Sequence, residues 1–556
     1  MSEEEGGEER SACAVCGGPA QEACALCEQT SYCGPQHQRQ HWPLHRAACS
    51  PLRVATSPQL GRYLVATRDL KAGELLLKEQ PVAVGPRAGG GGSPLCLGCW
   101  RRLPTPPPTC PRCSAAPLCP GGTCQHDDSE CCALREAGEA GARLLRAGVE
   151  AVLPLRCLLL AAARPENWRQ LLQLEAHAER RGPGTAVWSH NDATVVQPLK
   201  EAGLLRESEE TCQRVCGVLD VNSFEVRAAH GGRDQLRAVY ARAALMAHDC
   251  VANTHLAVDD NFVMTVHAAL PIPKGAAVCF NYTNVLQGTA ERREHLLEGK
   301  YFECGCARCR DPTELGTHLS SLRCPRCRKG LVCALQDQPN VWRCSDCGRS
   351  FCGGMARCAL WCARDAVEAA LEAAEAEDES GGARVLEAAL HRLGHSLAPD
   401  HALLLQLRHH LAGRYRAAAI AASATGAQLP RKLLARQVQL CRGLLPLLAI
   451  VEPGISRLRG IALYELQGPL AELARREHAA GELNLQQLVE RLEEAEAALK
   501  EALAALLFEP ALSPEGRLAR AAMLELRDLR QEIHDFRREA QPRPKHPQRK
   551  DRLRHK

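Results

Sequence analysis

Hydrophobic and polar positions change their period several times along this chain. Residues 63–84 read as strand, turn, strand. Tyr63-Leu64-Val65-Ala66-Thr67 leads through Lys71-Ala72-Gly73-Glu74 into Leu75-Leu76-Leu77 and then Pro81-Val82-Ala83-Val84. From about 133 to 202, leucines recur at three- and four-residue spacing, which predicts helices with one buried face. Residues 255–282 return to β: His255-Leu256-Ala257-Val258, a turn at Asp259-Asp260-Asn261, Phe262-Val263-Met264-Thr265-Val266, a turn at Pro273-Lys274-Gly275, then Val278-Cys279-Phe280-Asn281-Tyr282. From about 365 to 540 Leu and Ala recur at helical period between Glu and Arg, as in Leu488-Val489-x2-Leu492-x2-Ala495. Breaks at Gly381-Gly382, Pro399, Pro430, Pro453, Gly481 and Pro510 to Pro514 divide this stretch into six or seven helices, mostly antiparallel neighbours.

Periodicity alone leaves a plain helical bundle and a tetratricopeptide-like array equally open, because the Trp/Tyr/Pro signature of that repeat is missing. A chain of 556 residues suggests three or four domains. It is 45% hydrophobic but only 4% aromatic, so its cores must lean on Leu, Ala and Val. The net charge of +4 excludes a uniformly basic nucleic-acid coat, though not a local patch. The opening Met1-Ser2-Glu3-Glu4-Glu5 is acidic where a secretory leader would be basic and then apolar. No run of eighteen apolar residues exists, so no transmembrane helix and no membrane partner are expected; the best stretch, residues 152–163, is interrupted by Arg156. Residues 85–94, with four consecutive glycines, and the Pro-rich 104–108 read as loops. The tail, residues 541–556, holds seven Lys/Arg against one Asp and reads as a solvated end, with a nuclear-import or nucleic-acid-touching patch as the alternative.

The 31 cysteines change the picture most: thirty precede residue 363 and only Cys441 follows. Many Cys-x2-Cys pairs, where no secretory leader is expected, point to zinc rather than disulfides. The first cluster pairs Cys13 with Cys16, Cys24 with Cys27, Cys33 with His37 and His45 with Cys49. Eight ligands mean two closed four-coordinate sites. Loop lengths suit an interleaved arrangement, pairs one and three on one zinc and pairs two and four on the other. A piece of about 40 residues cannot bury enough core to fold alone, so metal supplies most of its folding free energy. The second cluster offers Cys96, Cys99, Cys110, Cys113, Cys119, Cys124, His126 and Cys131, with Cys132 as a substitute for Cys131. The same crossed pairing is expected there. Cys304, Cys306 and Cys309 form a three-ligand group lacking a fourth. Cys324, Cys327, Cys344 and Cys347 have the spacing of a zinc ribbon. Together these make about six zincs per chain, and ten cysteines stay without a ligand role.

The run Ser31-Tyr32-Cys33-x3-His37-Gln38-x2-His41-Trp42-x2-His45-x3-Cys49 resembles the MYND zinc finger. His37 stands where that family usually has Cys, and His41 is not expected to be a ligand. The second cluster resembles a divergent finger of the same type. Residues 61–309 resemble the SET domain of protein-lysine methyltransferases, in four stretches in order. These are Gly61-Arg62-Tyr63 with its following strand, Val221-Asn222-Ser223-Phe224-Glu225, Ala247-His248-Asp249-Cys250-Val251-Ala252-Asn253, and Pro273-Lys274-Gly275 with Phe280-Asn281-Tyr282. Phe302 then runs into Cys304-x-Cys306-x2-Cys309, which resembles the post-SET zinc site, and the resemblance supplies Cys250 as its fourth ligand. A finger between two SET halves with a helical C-terminal region is similar to the SET-and-MYND architecture, and the extra finger and ribbon resemble its arthropod-type SmydA branch.

The resemblance implies an α+β fold: two MYND-type zinc fingers, a split β-rich SET domain with a helical insert, a post-SET zinc site, a zinc ribbon and a C-terminal all-α, TPR-like region. The expected boundaries are 1–50 for the first finger, 51–95 for the first SET part and 96–132 for the second finger. They continue with 133–220 for the helical insert, 221–285 for the SET core, 286–312 for the post-SET site, 320–352 for the ribbon, 363–540 for the helical domain and 541–556 for the tail. It also implies methyl transfer from S-adenosylmethionine to a lysine amine of a protein substrate, a histone or regulatory protein, in transcriptional regulation. Tyr282 is the expected catalytic residue, and Arg62, Tyr63, Asn222, His248, Tyr282 and Phe302 the expected cofactor-binding residues. Proline-containing peptides are the expected partners of the fingers, a monomer the expected state, and nucleus, cytoplasm or both the expected compartment. Direct nucleic-acid binding is not expected, since interleaved fingers lack an exposed recognition helix. The sequence departs from the family pattern at four places: Tyr63 replaces the second glycine of the opening motif, Ala247 an Asn, Ala252 a Pro, and Lys300 the aromatic two residues before Phe302. Tyr63 and Ala247 support an alternative function, a catalytically weak or dead scaffold that binds partners through its fingers.

Overall fold

The computed structural model describes residues 12–27, 30–46, 49–87, 94–122, 124–228, 235–335 and 338–540. Residues 88–93 of the glycine-rich stretch and the basic tail, 541–556, lie outside them. The first cysteine cluster carries two short strands, Glu22–Ala23 and Ser31–Tyr32, and the helix Pro35–His45. Its buried residues, Cys13, Cys24, Cys27 and Tyr32, form a small cluster of their own. The second behaves differently. Cys96, Leu97, Trp100, Leu103, Cys110 and Leu118 belong to one large core with the β-domain and the helical insert.

That β-domain is assembled from short sheets. Leu52–Ser57 and Gly61–Ala66 form a hairpin in which Leu52 faces Ala66 and Ser57 faces Gly61. Leu75–Glu79 pairs with Met264–Ala268, which pairs with Thr254–Val258. Ala83–Pro86 pairs with Gln235–Val239, which pairs with Phe224–Arg227. So strands far apart in sequence close the two three-stranded sheets, with the second finger and the insert looped out between them. Residues 247–248 and 279–280 run parallel. The Asn253 carboxamide ties this crossing down from both sides: Nδ2 donates to the Ala277 carbonyl and Oδ1 accepts from the Cys279 N–H, each at 2.8 Å. In the insert, the helix Val152–Ala163 packs onto the strand Ala83–Pro86 so closely that a Cβ on Gly85 would lie 2.6 Å from the Leu153 Cβ.

The ribbon strands Leu322–Arg323, Leu331–Leu335, Gln338–Cys344 and Ser350–Cys352 form one sheet and share a core with the helices that follow. Seven helices span Gly353–Glu375, Glu379–Leu393, Ala402–Thr425, Arg431–Val451, Arg457–Ala479, Leu485–Leu506 and Pro514–Ala540. The helical region begins at Gly353, ten residues before the expected boundary of 363, because the first helix leaves the ribbon directly. Helices adjacent in sequence pack on one another, only lightly between Ala402–Thr425 and Arg431–Val451; Gly353–Glu375 also touches Ala402–Thr425, and Arg457–Ala479 touches Pro514–Ala540, the pattern of stacked hairpins rather than a closed bundle. One predicted break is misplaced. Gly381-Gly382 lies inside Glu379–Leu393, whose cap is Asp378, and a Cβ on Gly382 would meet the Ala374 carbonyl at 2.7 Å and the Arg414 guanidinium at 2.9 Å. These glycines mark a close approach rather than an end. Arg431–Val451 is long and apolar enough to cross a membrane by length and composition, a qualification that counting uninterrupted apolar residues missed. Leu434, Val438, Cys441, Leu448 and Val451 are buried against neighbouring helices, which makes it a core helix of this array.

Candidate functional site

The geometry of the sulfurs decides what the cysteines can hold. A metal–sulfur bond of about 2.3 Å puts the corners of a tetrahedron about 3.8 Å apart, whereas a disulfide brings sulfurs to about 2.05 Å. Cys16 and Cys33 stand 3.7 Å apart, as do Cys24 and Cys49. Cys99 and Cys119 stand at 3.5 Å, and Cys110 and Cys131 at 3.9 Å. Four groups in the two fingers converge: Cys13, Cys16, Cys33 and His37; Cys24, Cys27, His45 and Cys49; Cys96, Cys99, Cys119 and Cys124; Cys110, Cys113, His126 and Cys131. Both fingers are therefore interleaved. Cys132 is exposed and points to Arg135 rather than into the group. Cys250 joins Cys304, Cys306 and Cys309 in a fifth group. In the ribbon Cys324 lies 3.8 Å from Cys347, and Cys327 lies 3.7 Å from Cys344. All these cysteines are free thiols at distances that fit zinc.

Two of these groups have supporting residues that spacing did not reveal. His126 Nδ1 meets the Glu130 carboxylate at 2.9 Å, one helical turn on. Glu130 in turn accepts from Arg156 Nε at 2.8 Å and Nη2 at 2.9 Å. The same guanidinium donates to the Val84 and Leu97 carbonyls and lies 4.6 Å over the Trp100 ring. Burial on its own would raise the Glu130 carboxyl; Arg156 and His126 outweigh it and hold the group below its ordinary value. A carboxylate behind a ligating imidazole fixes its tautomer and orientation. At the fifth group, fully buried Arg292 donates from Nε to Cys250 Sγ at 3.3 Å and from Nη2 to Cys309 Sγ at 3.5 Å, with Glu314 2.8 Å from Nη1. Four thiolates on one zinc leave net negative charge, and Arg292 meets it.

The fifth group adjoins an aromatic site. Tyr282 follows the strand Cys279–Phe280; its hydroxyl donates to the Met246 carbonyl and its N–H to His248 Nδ1 at 3.1 Å. With Nδ1 accepting, the His248 proton sits on Nε2, 3.3 Å from Cys250 Sγ. His248 thus bridges Tyr282 to the cysteine group. Ring centroids lie 5.1 Å apart for His248 and Tyr282, 5.8 Å for His248 and Phe302, and 6.3 Å for Phe280 and Tyr282. Burial pushes the Tyr282 hydroxyl well above its ordinary range. Asn222 Nδ2 donates to the Glu175 and Val218 carbonyls at 2.7 and 2.9 Å. Ala247 is buried and carries no polar group. Arg62 is exposed and its guanidinium turns to the Gln173 carbonyl. Tyr63 is half-buried opposite Ala55, with no ring contact among the described residues. So the structure gathers His248, Tyr282 and Phe302, sets Asn222 one residue from Val221 at the edge, and leaves the side chains of Arg62 and Tyr63 outside that cluster. It adds Lys300, whose Nζ lies 5.7 Å over the Tyr282 ring and donates to the Val221 carbonyl.

A split β-domain clasping a second finger, a four-cysteine group behind a half-buried tyrosine, and a helical array define a zinc-stapled protein of the SET-and-MYND class. The MYND finger model matches residues 13–49. SET domain-containing protein SmydA-8, isoform B, of Drosophila melanogaster is 31% identical over 320 residues, covering 54% of this chain and 67% of that protein. Isoform A is 31% identical over 316 residues, and the match spans 65% of its length, just under two thirds. Histone-lysine N-methyltransferase ASHR2 of Arabidopsis thaliana is 26% identical over 288 residues, covering 47% of this chain and 72% of that protein. The chain belongs to the SET and MYND domain-containing family.

Proposed function

We propose that the chain is an S-adenosylmethionine-dependent protein-lysine N-methyltransferase. The observation that carries this reading is the setting of Tyr282: half-buried, hydroxyl anchored on the Met246 carbonyl, ring packed on His248 and Phe280, and backbone tied through His248 to the Cys250 group. Aromatic faces and a carbonyl rim suit a cation or an amine in a dry site. The similarity to ASHR2, named a histone-lysine N-methyltransferase, supports a histone or regulatory-protein substrate. When bound, S-adenosylmethionine supplies an electrophilic methyl group on a sulfonium. Asn222 Oδ1, the Phe302 ring and the backbone around Arg62, Tyr63 and His248 are the groups here that would hold it. Both ring nitrogens of His248 are engaged, so it can offer only its backbone and ring face. Tyr282 orients the acceptor, and desolvation favours a neutral amine. Exposed Trp42 and Leu44 on the helix Pro35–His45 support docking of apolar, proline-containing peptides on the first finger. We place the protein in nucleus, cytoplasm or both, acting on transcription, a reading supported by the finger and the basic tail.

Calorimetric titration of zinc-loaded full chain with S-adenosylmethionine tests the proposal. Saturable binding, and methyl transfer lost in Tyr282→Phe, are expected. An absence of binding at millimolar cofactor refutes it and favours a partner-binding scaffold, the reading that Ala247 supports by removing a carboxamide from the site.

A further inference from the structure

Lys300 is the last residue of the helix Thr289–Lys300. Tyr301 then turns the chain in the left-handed region, at φ 62°. That turn is pinned: Arg181 donates to the Tyr301 hydroxyl at 3.0 Å and pairs with Asp220, and the His177 ring lies 5.0 Å from the Tyr301 ring. The Lys300 side chain therefore leaves a fixed point, and it runs inward. Its Nζ reaches the Tyr282 face and the Val221 carbonyl. Among the described residues no carboxylate pairs with it. Lys300 is half-buried, and an ammonium withdrawn from solvent ordinarily has such a partner, because desolvation is otherwise uncompensated. Here burial brings the amine down to about 8, with Asp220 opposing and Arg237 adding to the shift.

The surroundings of Nζ are those a foreign lysine amine would require: a tyrosine face and one backbone carbonyl, in a half-buried setting. We propose that Lys300 is a tethered acceptor: its side chain fills the place at Tyr282 that an incoming lysine amine would take, and its Nζ receives a methyl group when S-adenosylmethionine is bound. This rests on the methyltransferase reading. The step balances as follows. Nζ first loses a proton to solvent. Its lone pair forms the N–C bond while the methyl–sulfur bond breaks; the bonding pair stays on sulfur, which becomes a neutral thioether. Lys300 ends as a methylammonium carrying the positive charge that sulfur lost. A foreign substrate must displace Lys300, so the residue also sets how readily external lysines are accepted.

The test uses zinc-loaded full chain and S-adenosylmethionine carrying a trideuterated methyl group. Binding is measured by calorimetry, and the label is located by mass spectrometry of the Lys300 peptide. Label on Lys300 is expected in the wild-type chain and none at this position in Lys300→Arg. A second readout needs no turnover. Lys300→Met removes a cation near the site, so binding of cationic S-adenosylmethionine relative to the neutral S-adenosylhomocysteine is expected to improve about tenfold. Wild-type chain that binds cofactor and leaves Lys300 unlabelled overturns the proposal while the methyltransferase reading stands. An unchanged affinity ratio in a folded Lys300→Met overturns the placement as well. If neither ligand binds any variant, both readings fall.

Discussion

Replacing Arg156 by Met keeps most of the side-chain volume and removes the guanidinium. Arg156 makes a bidentate pair with Glu130, whose side chain is 1% exposed, and its remaining donors serve the Val84 and Leu97 carbonyls. It therefore joins three pieces: the second finger at Leu97 and Glu130, the strand Ala83–Pro86 at Val84, and the insert helix on which it lies. Removing one partner of a buried pair costs about 3–5 kcal/mol, because the other charge is left without compensation. Two buried carbonyls losing their donors add about 1–3 kcal/mol each if nothing replaces them. Glu130 can limit the total by taking up a proton, so we expect a loss of about 4 kcal/mol. A multidomain chain with bound metals is not two-state, so the loss is best read locally. One measurement is zinc release from the second finger to a chromogenic chelator. The other is hydrogen exchange of the helix Asp128–Ala137 and the strand Ala83–Pro86. Both should accelerate by two to three orders of magnitude, while the first finger is unchanged. Adding Glu130→Gln to Arg156→Met should recover part of the loss, since no buried charge is then stranded. Unchanged release and exchange in Arg156→Met, or a double variant as poor as the sum of the singles, would refute the account.

Graded chelation of the wild-type chain should unfold the first finger before the second, since its core is four buried residues while the second shares the large core; limited proteolysis near residue 46 before residue 110 is the expected order. His401, buried and brought down to about 4 by burial, stays neutral in the fold where the unfolded chain titrates near 6.5. Its contribution is complete above 6.5 and is lost as pH falls from there toward 4, by about 3 kcal/mol. A denaturation series across that range should show the slope, and His401→Leu should flatten it. Gly382→Ala should destabilise the helical array by about 1–3 kcal/mol, since its Cβ meets the Ala374 carbonyl at 2.7 Å; an unchanged melting curve for that region would show that the helices can separate at no cost.

How legible the sequence is depends on the kind of constraint. Cysteine pairs announce themselves because tetrahedral coordination fixes the local loop, and the crossed arrangement follows from how short the intervening loops are. Strand and helix segments follow from period because one face of each is buried. Residues that act across elements leave no such trace. Arg156 reads as a charge interrupting the apolar stretch 152–163, yet that interruption is what holds the second finger; His126 and Glu130 at one-turn spacing were the available hint that a buried cation must lie opposite. Gly381-Gly382 reads as a helix end because glycine has two uses, freeing the backbone and admitting a neighbour, and only the position of Arg414 and Ala374 distinguishes them. Lys300 reads as a lost aromatic. Its meaning lies in a direction, inward from a pinned turn at Tyr301, and no period along the chain encodes where a side chain five bonds long will end. The contrast bears on chemistry. Deleting an aromatic merely loosens a site, whereas putting an amine in its place fills the site with the functional group that the proposed reaction consumes, so Lys300 is the departure with most leverage over what this chain can methylate.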